Sequence, residues 1–395
     1  MKQRLIFLGL SLSAIATSFA QMSAVSNKKG SNIQFTTSAN IEATEVKSQG
    51  QTGTCWSFSS MSYFESELIR MGKGKDHNLS EMFVVRMSYP EKAENYIRMH
   101  GKTNFAEGGE FHDVVNVMRK YGTVPDEIYN GNLKPGQKYN HHKLDSMVLA
   151  YVKDVIKNDK KVDANWKVRL EQILDSALGK IPTEFEYKGK KYTPQSYAKE
   201  LGIVPDEYVY LSSWTHHPFY KKFILEIPDN WAWEQAMNVP LDEMMETIDN
   251  ALKNGYGIGW AADVSEPGFK FKEGLAVIPE KSFESMSAEE KLNVFNNPVT
   301  EIKVTQENRQ VGFDNYETQD DHGMHITGIV NDQKGKKYYI VKNSWGTDNE
   351  CAGYFYASES YVRMKTISIM VHKKGVPKTI AAKIGMKEIV KERNQ

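Results

Sequence analysis

At 395 residues the chain exceeds the size at which one hydrophobic core usually suffices, so two packed lobes are expected, with one elaborated domain as the alternative. Fifty basic residues balance fifty acidic ones and no long block of one sign occurs, which removes the electrostatic case for nucleic acid or an anionic membrane as a partner. Past the first twenty residues no window holds eighteen uncharged apolar residues, so a soluble mature chain is expected.

Lys2 and Arg4 precede an apolar run from Leu5 to Ala16, and TSFA follows before Gln21. That order is a secretory signal peptide over residues 1–20, and it predicts export to the periplasm or the outside. Residues 21–40 are rich in Ser, Asn, Thr and Lys and read as a loose arm, with the folded part expected over 41–395. From Cys55 the pattern turns helical, with Trp56, Met61, Phe64, Leu68 and Met71 on the recurring positions and Gly72 as a stop. Cys55 is therefore expected at a helix amino terminus. A second helix is predicted over 111–121, ended by Gly122 and Pro125.

An inserted helical hairpin is expected over residues 135–182. Its first helix carries Met147, Val148, Tyr151, Val152, Val155 and Ile156 on one face. Its second has Asp163 as cap, then Trp166, Leu170, Ile173, Leu174, Ala177 and Leu178 before Gly179. The polar linker NDKK leaves two arrangements open, an arm projecting toward a partner or a hairpin folded onto its own core.

The last third changes period. HITGIV, NDQKGK and KYYIVKN read as two strands around a turn with Gly335 at the bend, so the chain is α+β. A turn centred near Gln333 sets position 322 opposite position 344, which brings His322 and Asn343 within about one residue of cross-strand register.

A thiol attacks only as thiolate, and a helix amino terminus favours that form through its free N–H groups and dipole. A companion imidazole would accept the proton, and a side-chain amide such as that of Asn343 would hold His322 in one tautomer. Only two cysteines occur, Cys55 and Cys351, so either they bridge or one works as a free thiol; the residues around Cys55 favour the latter, with Cys351 a partly buried free thiol. His325, three residues beyond His322, points to the opposite strand face and is expected to be structural. The pairs His141–His142 and His216–His217 lie in polar, turn-like contexts and are expected on the surface. No metal and no cofactor is expected.

QGQTGTCWSF (49–58), DHGMHITG (321–328) and KNSWG (342–346) together resemble the three active-site blocks of the papain-like cysteine peptidase superfamily. The resemblance implies a two-lobed fold, helical on the left and antiparallel β on the right. It implies Cys55 as nucleophile, His322 as base and then acid, Asn343 as its orienting group, and Gln49 as oxyanion donor beside the backbone N–H of Cys55. Trp345 would shield the Asn–His contact, and Gly108 and Gly109 would pair with an extended peptide substrate. Thr52 stands where secreted members have a disulfide cysteine, and residues 21–54, 34 in all, are too few for their long pro-segment. The blocks GGEFHDVVNVMRKYGTVPDEIY and NGYGIGWAADV, the hairpin and VHKKGVP instead resemble the bleomycin hydrolase and aminopeptidase C branch, which implies an aminopeptidase assembled as a homohexamer through the hairpin, its hook. That branch is usually cytosolic, and its tail ends in the cleft, whereas here KIGMKEIVKERNQ continues as a charged helix in a tail over 375–395. An endopeptidase or dipeptidyl peptidase therefore stays as one alternative, and an inactive oligomeric scaffold as another.

Overall fold

The computed structural model describes residues 25–157 and 162–386. The expected signal peptide, the NDKK linker and residues 387–395 lie outside them. The helical lobe is built from α1 (Cys55–Arg70), α2 (Glu81–Arg98), α3 (Phe111–Tyr121), α4 (His142–Lys157) and α5 (Trp166–Leu178). Every residue of α1 from Trp56 to Leu68 is buried, so this helix runs through the middle of the molecule. Its serines tolerate that position because their hydroxyls find carbonyls: Ser57 donates to Glu81, Ser59 to Cys55 and Ser60 to Trp56. The helix stops where expected, with Gly72 at φ +76° just beyond it.

The hairpin α4–α5 is folded onto its own lobe. Leu144, Val148, Val152, Trp166, Leu170 and Leu174 join the same core as α1 and α2, and the buried Arg86 of α2 bonds Asp175 at 2.8 Å and also Glu171. Met147, expected on the inner face, is exposed. The cap of α5 is Asn165 rather than Asp163, whose carboxylate accepts from the Asn165 N–H instead.

The second lobe is an eleven-stranded sheet, antiparallel except for two short parallel pairings near its ends. Its longest member, His322–Asp332, is a fork: residues 322–326 pair with Ile258–Ala262, and residues 328–332 pair with Phe35–Asn40. The latter pairing corrects the loose arm. Ile33 and Phe35 are each 1% exposed, and this alternating apolar pair anchors the segment as a strand of the β lobe, which thus begins before residue 41. The predicted hairpin forms between His322–Asp332 and Lys337–Lys342, with Gly335 in the turn at φ +80°. Its register at the His322 end differs by about one residue from expectation because the turn centres near Lys334 rather than Gln333, a shift that the bulge between Ile326 and Gly328 partly offsets. Of the tail, Lys378–Lys383 is a short helix held by buried Ile380 against the β-lobe core.

Candidate active site

The two lobes meet where the first turn of α1 touches the start of the strand His322–Asp332. Gly323 makes this approach possible, since a Cβ there would lie 3.2 Å from the Cα of Trp56 and 3.3 Å from its nitrogen. Cys55 and His322 consequently line one narrow cleft together with Gly109, Glu110, Asp229, Asp320 and Asp321. No side chain caps α1 and no acid stands in its first turn, which leaves the positive helix end facing the thiol.

His322 Nε2 lies 2.7 Å from Asn343 Oδ1. The same oxygen accepts the Ser344 N–H at 2.8 Å, which fixes the amide orientation, so Nε2 carries the proton and Nδ1 is left as the basic nitrogen. Trp345 stacks on the imidazole with ring centroids 4.6 Å apart and is itself held edge-on by Phe269 and Phe271. The indole covers the His–Asn pair while remaining 36% exposed on its outer side. Gln49 is locked by three bonds: its Oε1 accepts from Ser344 Oγ at 2.6 Å, its Nε2 donates to Thr52 O at 2.7 Å, and its N–H donates to Ser344 O at 2.8 Å. One amide hydrogen of Nε2 is left over.

The glycine pair divides. Gly109 lines the cleft against Trp56, whereas Gly108 lies under Asp229, whose Oδ2 would be 1.9 Å from an added Cβ. The buried Lys92 holds this loop by donating to the carbonyls of Ala106 at 3.3 Å and Glu107 at 3.2 Å, and to that of Gly108. Neither Lys92 nor Asp229 stood out in the sequence, because each comes from an element with no motif of its own. Asp320 was legible only as an acid two residues before His322.

Burial pushes the Cys55 thiol up to about 12; Asp229 and Asp320 add to the rise, and N–H groups of Gly323 and Trp56 oppose it. Burial likewise lowers the His322 imidazole to about 4, against the Asn343 hydrogen bond. In the free cleft the thiol and imidazole are therefore both neutral. Asp320 is raised to about 8 by burial and by Asp229 and Asp321.

His325 is fully buried, bonded through Nδ1 to Ser62 Oγ at 3.0 Å on the face of the strand away from His322, as a structural residue. His141 departs from expectation: it is 5% exposed and packs edge-on against Tyr139. His142 and His216 are exposed and His217 is half-buried. His216, His217 and Glu226 form the one group of metal-ligand type found among the described residues, and none of them lines the cleft. Both cysteines are free, and the Cys351 thiol donates to Asn27 O at 2.7 Å.

The sequence profile of the Peptidase C1-like family matches residues 10–393. The chain belongs to the Peptidase C1-like family. Within it, Aminopeptidase C of Streptococcus thermophilus is 24% identical over 383 residues, covering 86% of this chain and 82% of that protein. Aminopeptidase E of Lactobacillus helveticus is 25% identical over 378 residues, with 85% and 83% covered. The crystal structure of PepW from Lactobacillus rhamnosis shares the fold at a TM-score of 0.70 and 21% identity, over 89% of this chain and 84% of that one. Family membership makes this chain a cysteine peptidase of the branch that holds the aminopeptidases.

Proposed function

We propose that the chain removes amino-terminal residues from peptides through Cys55, His322 and Asn343 and a covalent acyl-enzyme. Nδ1 of His322 takes the thiol proton as Sγ attacks the carbonyl carbon, then delivers it to the departing amine; water, deprotonated by the same nitrogen, releases the acyl group and restores the thiol. The free hydrogen of Gln49 Nε2 and the Cys55 N–H are the donors for the oxyanion. The observation that carries this reading is the 2.7 Å His322–Asn343 bond within a cleft shared with the thiol at the start of α1. The motif of residues 1–20 adds export, and kinship with the aminopeptidase C branch adds a homohexamer.

The test compares an unblocked aminoacyl coumarin with its acetylated form, on the intact enzyme and on Cys55→Ala. Faster cleavage of the unblocked substrate, lost in Cys55→Ala, is expected. Preference for the acetylated substrate or a longer peptide would favour the endopeptidase reading, and full turnover by Cys55→Ala would refute the nucleophile.

A further inference from the structure

The cleft wall opposite the thiol carries acidity that the peptide chemistry above does not use. Glu110, Asp229, Asp320 and Asp321 all face the space shared by Cys55 and His322. Burial and the nearby Asp320 hold Glu110 well above the usual carboxylate range, and Glu110 Oε2 accepts from Ser368 Oγ at 3.3 Å. Asp321 is occupied from outside the cleft, its Oδ2 accepting the N–H groups of Val264 and Ser265 at 3.3 and 3.1 Å. Asp229 Oδ1 accepts from Asn104 at 3.0 Å. The Oδ2 of Asp320, however, is buried and has no hydrogen-bond donor among the described residues.

Among the described residues no cation fills that place. The one ammonium near Asp229 is Lys92, and its three hydrogens are directed at the carbonyls of Ala106, Glu107 and Gly108. A buried acceptor with no donor among the described residues, beside carboxylates whose nearest ammonium gives its hydrogens to backbone carbonyls, matches a ligand that brings both hydrogens and positive charge. Its position sets what that ligand is. Asp229 stands directly over Gly108, so a peptide laid along Gly109 meets a carboxylate instead of open backbone beyond its first residue.

We propose that Asp229 and Asp320 bind the α-ammonium group of the substrate, so that the cleft accepts one amino-terminal residue ahead of the scissile bond. This rests on the peptidase reading and deepens it, because it makes the residue count of the product a property of two side chains. It also couples recognition to reactivity. Both acids add to the rise that burial imposes on the thiol, and an ammonium seated between them offsets their part of it when a substrate arrives.

The test uses the full mature chain with Asp229→Asn and Asp320→Asn, both near-isosteric, and a truncation ending at Met386. The readouts are kcat/KM for alanyl-coumarin, acetyl-alanyl-coumarin and acetyl-lysyl-coumarin, and the rate of Cys55 alkylation by iodoacetamide at pH 7. Each Asn variant is expected to reduce the ratio of unblocked to acetylated alanyl cleavage at least tenfold, and Asp229→Asn is expected to speed alkylation, since Asp229 adds to the rise of the thiol. Unfolding would also accelerate alkylation by exposing the thiol, so the comparison is made on variants whose thermal unfolding midpoint matches the wild type. The proposal is overturned if both Asn variants keep the wild-type ratio, if only the truncation abolishes it, or if acetyl-lysyl-coumarin is the preferred substrate, which would assign the acids to a basic side chain. If the wild-type enzyme cleaves none of the three, the peptidase reading falls first; an active wild type whose ratio survives both variants removes the acidic site alone.

Discussion

Replacing Asn343 by Ala removes one oxygen that serves two buried donors, His322 Nε2–H at 2.7 Å and Ser344 N–H at 2.8 Å. Asn343 is 3% exposed and His322 4%, so water has little access to replace the lost acceptor. A buried donor left without a partner costs about 1–3 kcal/mol. If the imidazole component of that cost falls on the productive tautomer and orientation, kcat drops by roughly 5- to 150-fold, because each 1.4 kcal/mol is a factor of ten. The Trp345 stack survives the substitution and still restrains the ring plane, which argues for the lower half of that range, about ten- to thirtyfold. The assay is kcat and KM on an unblocked aminoacyl coumarin, with Asn343→Ala and Cys55→Ala measured together. KM should change little, since the amide is covered by the indole and is not offered to substrate. A variant within threefold of wild type would show that the orienting bond does not matter; one as inactive as Cys55→Ala would show that Asn343 does more than orient His322.

Gln49→Ala should lower kcat by on the order of a hundredfold or more, the usual cost of one oxyanion donor, while Ser344→Ala should cost less because the amide keeps its bond to Thr52; equal losses in the two would contradict the division. The acid limb of kcat/KM is expected near pH 4 rather than 6.5: burial lowers His322 to about 4, and the imidazole must be unprotonated to accept the thiol proton, so activity rises with pH through that value. A limb centred between pH 6 and 7 would mean that the histidine is solvated. Native mass spectrometry should record six chains per particle, and a monomer would exclude the homohexamer implied by the resemblance.

Much of the site was legible because its parts lie in short, local elements. Cys55 announces itself by the helical period that starts at the next residue, and His322 and Asn343 are neighbours through a hairpin whose turn residues can be read directly. The one-residue difference in register came from a turn centred near Lys334 rather than Gln333, partly offset by the bulge beside Gly328, where an added Cβ would meet Ala39 O at 2.5 Å; only the packing of the amino-terminal strand reveals that constraint. That strand was itself misread. Its composition is polar, and two apolar residues in alternation, Ile33 and Phe35, were enough to dock it. His141 was misjudged for a similar reason, since nothing local foretells its packing beside Tyr139 and near Glu107. The acidic wall could not be assembled in advance: Glu110, Asp229 and Asp320 are brought together from three distant stretches of chain, and Lys92 reaches the glycine loop from α2.

Everything functional depends on the thiol at the start of α1 sharing its chemistry with His322. Intact-mass and peptide mapping after treatment with a peptidyl epoxide or vinyl sulfone tests that most directly. One adduct per chain on Cys55, absent from Cys55→Ala and strongly slowed in His322→Ala, is the expected result. Labelling confined to Cys351, or a Cys55 rate indifferent to His322, would contradict it.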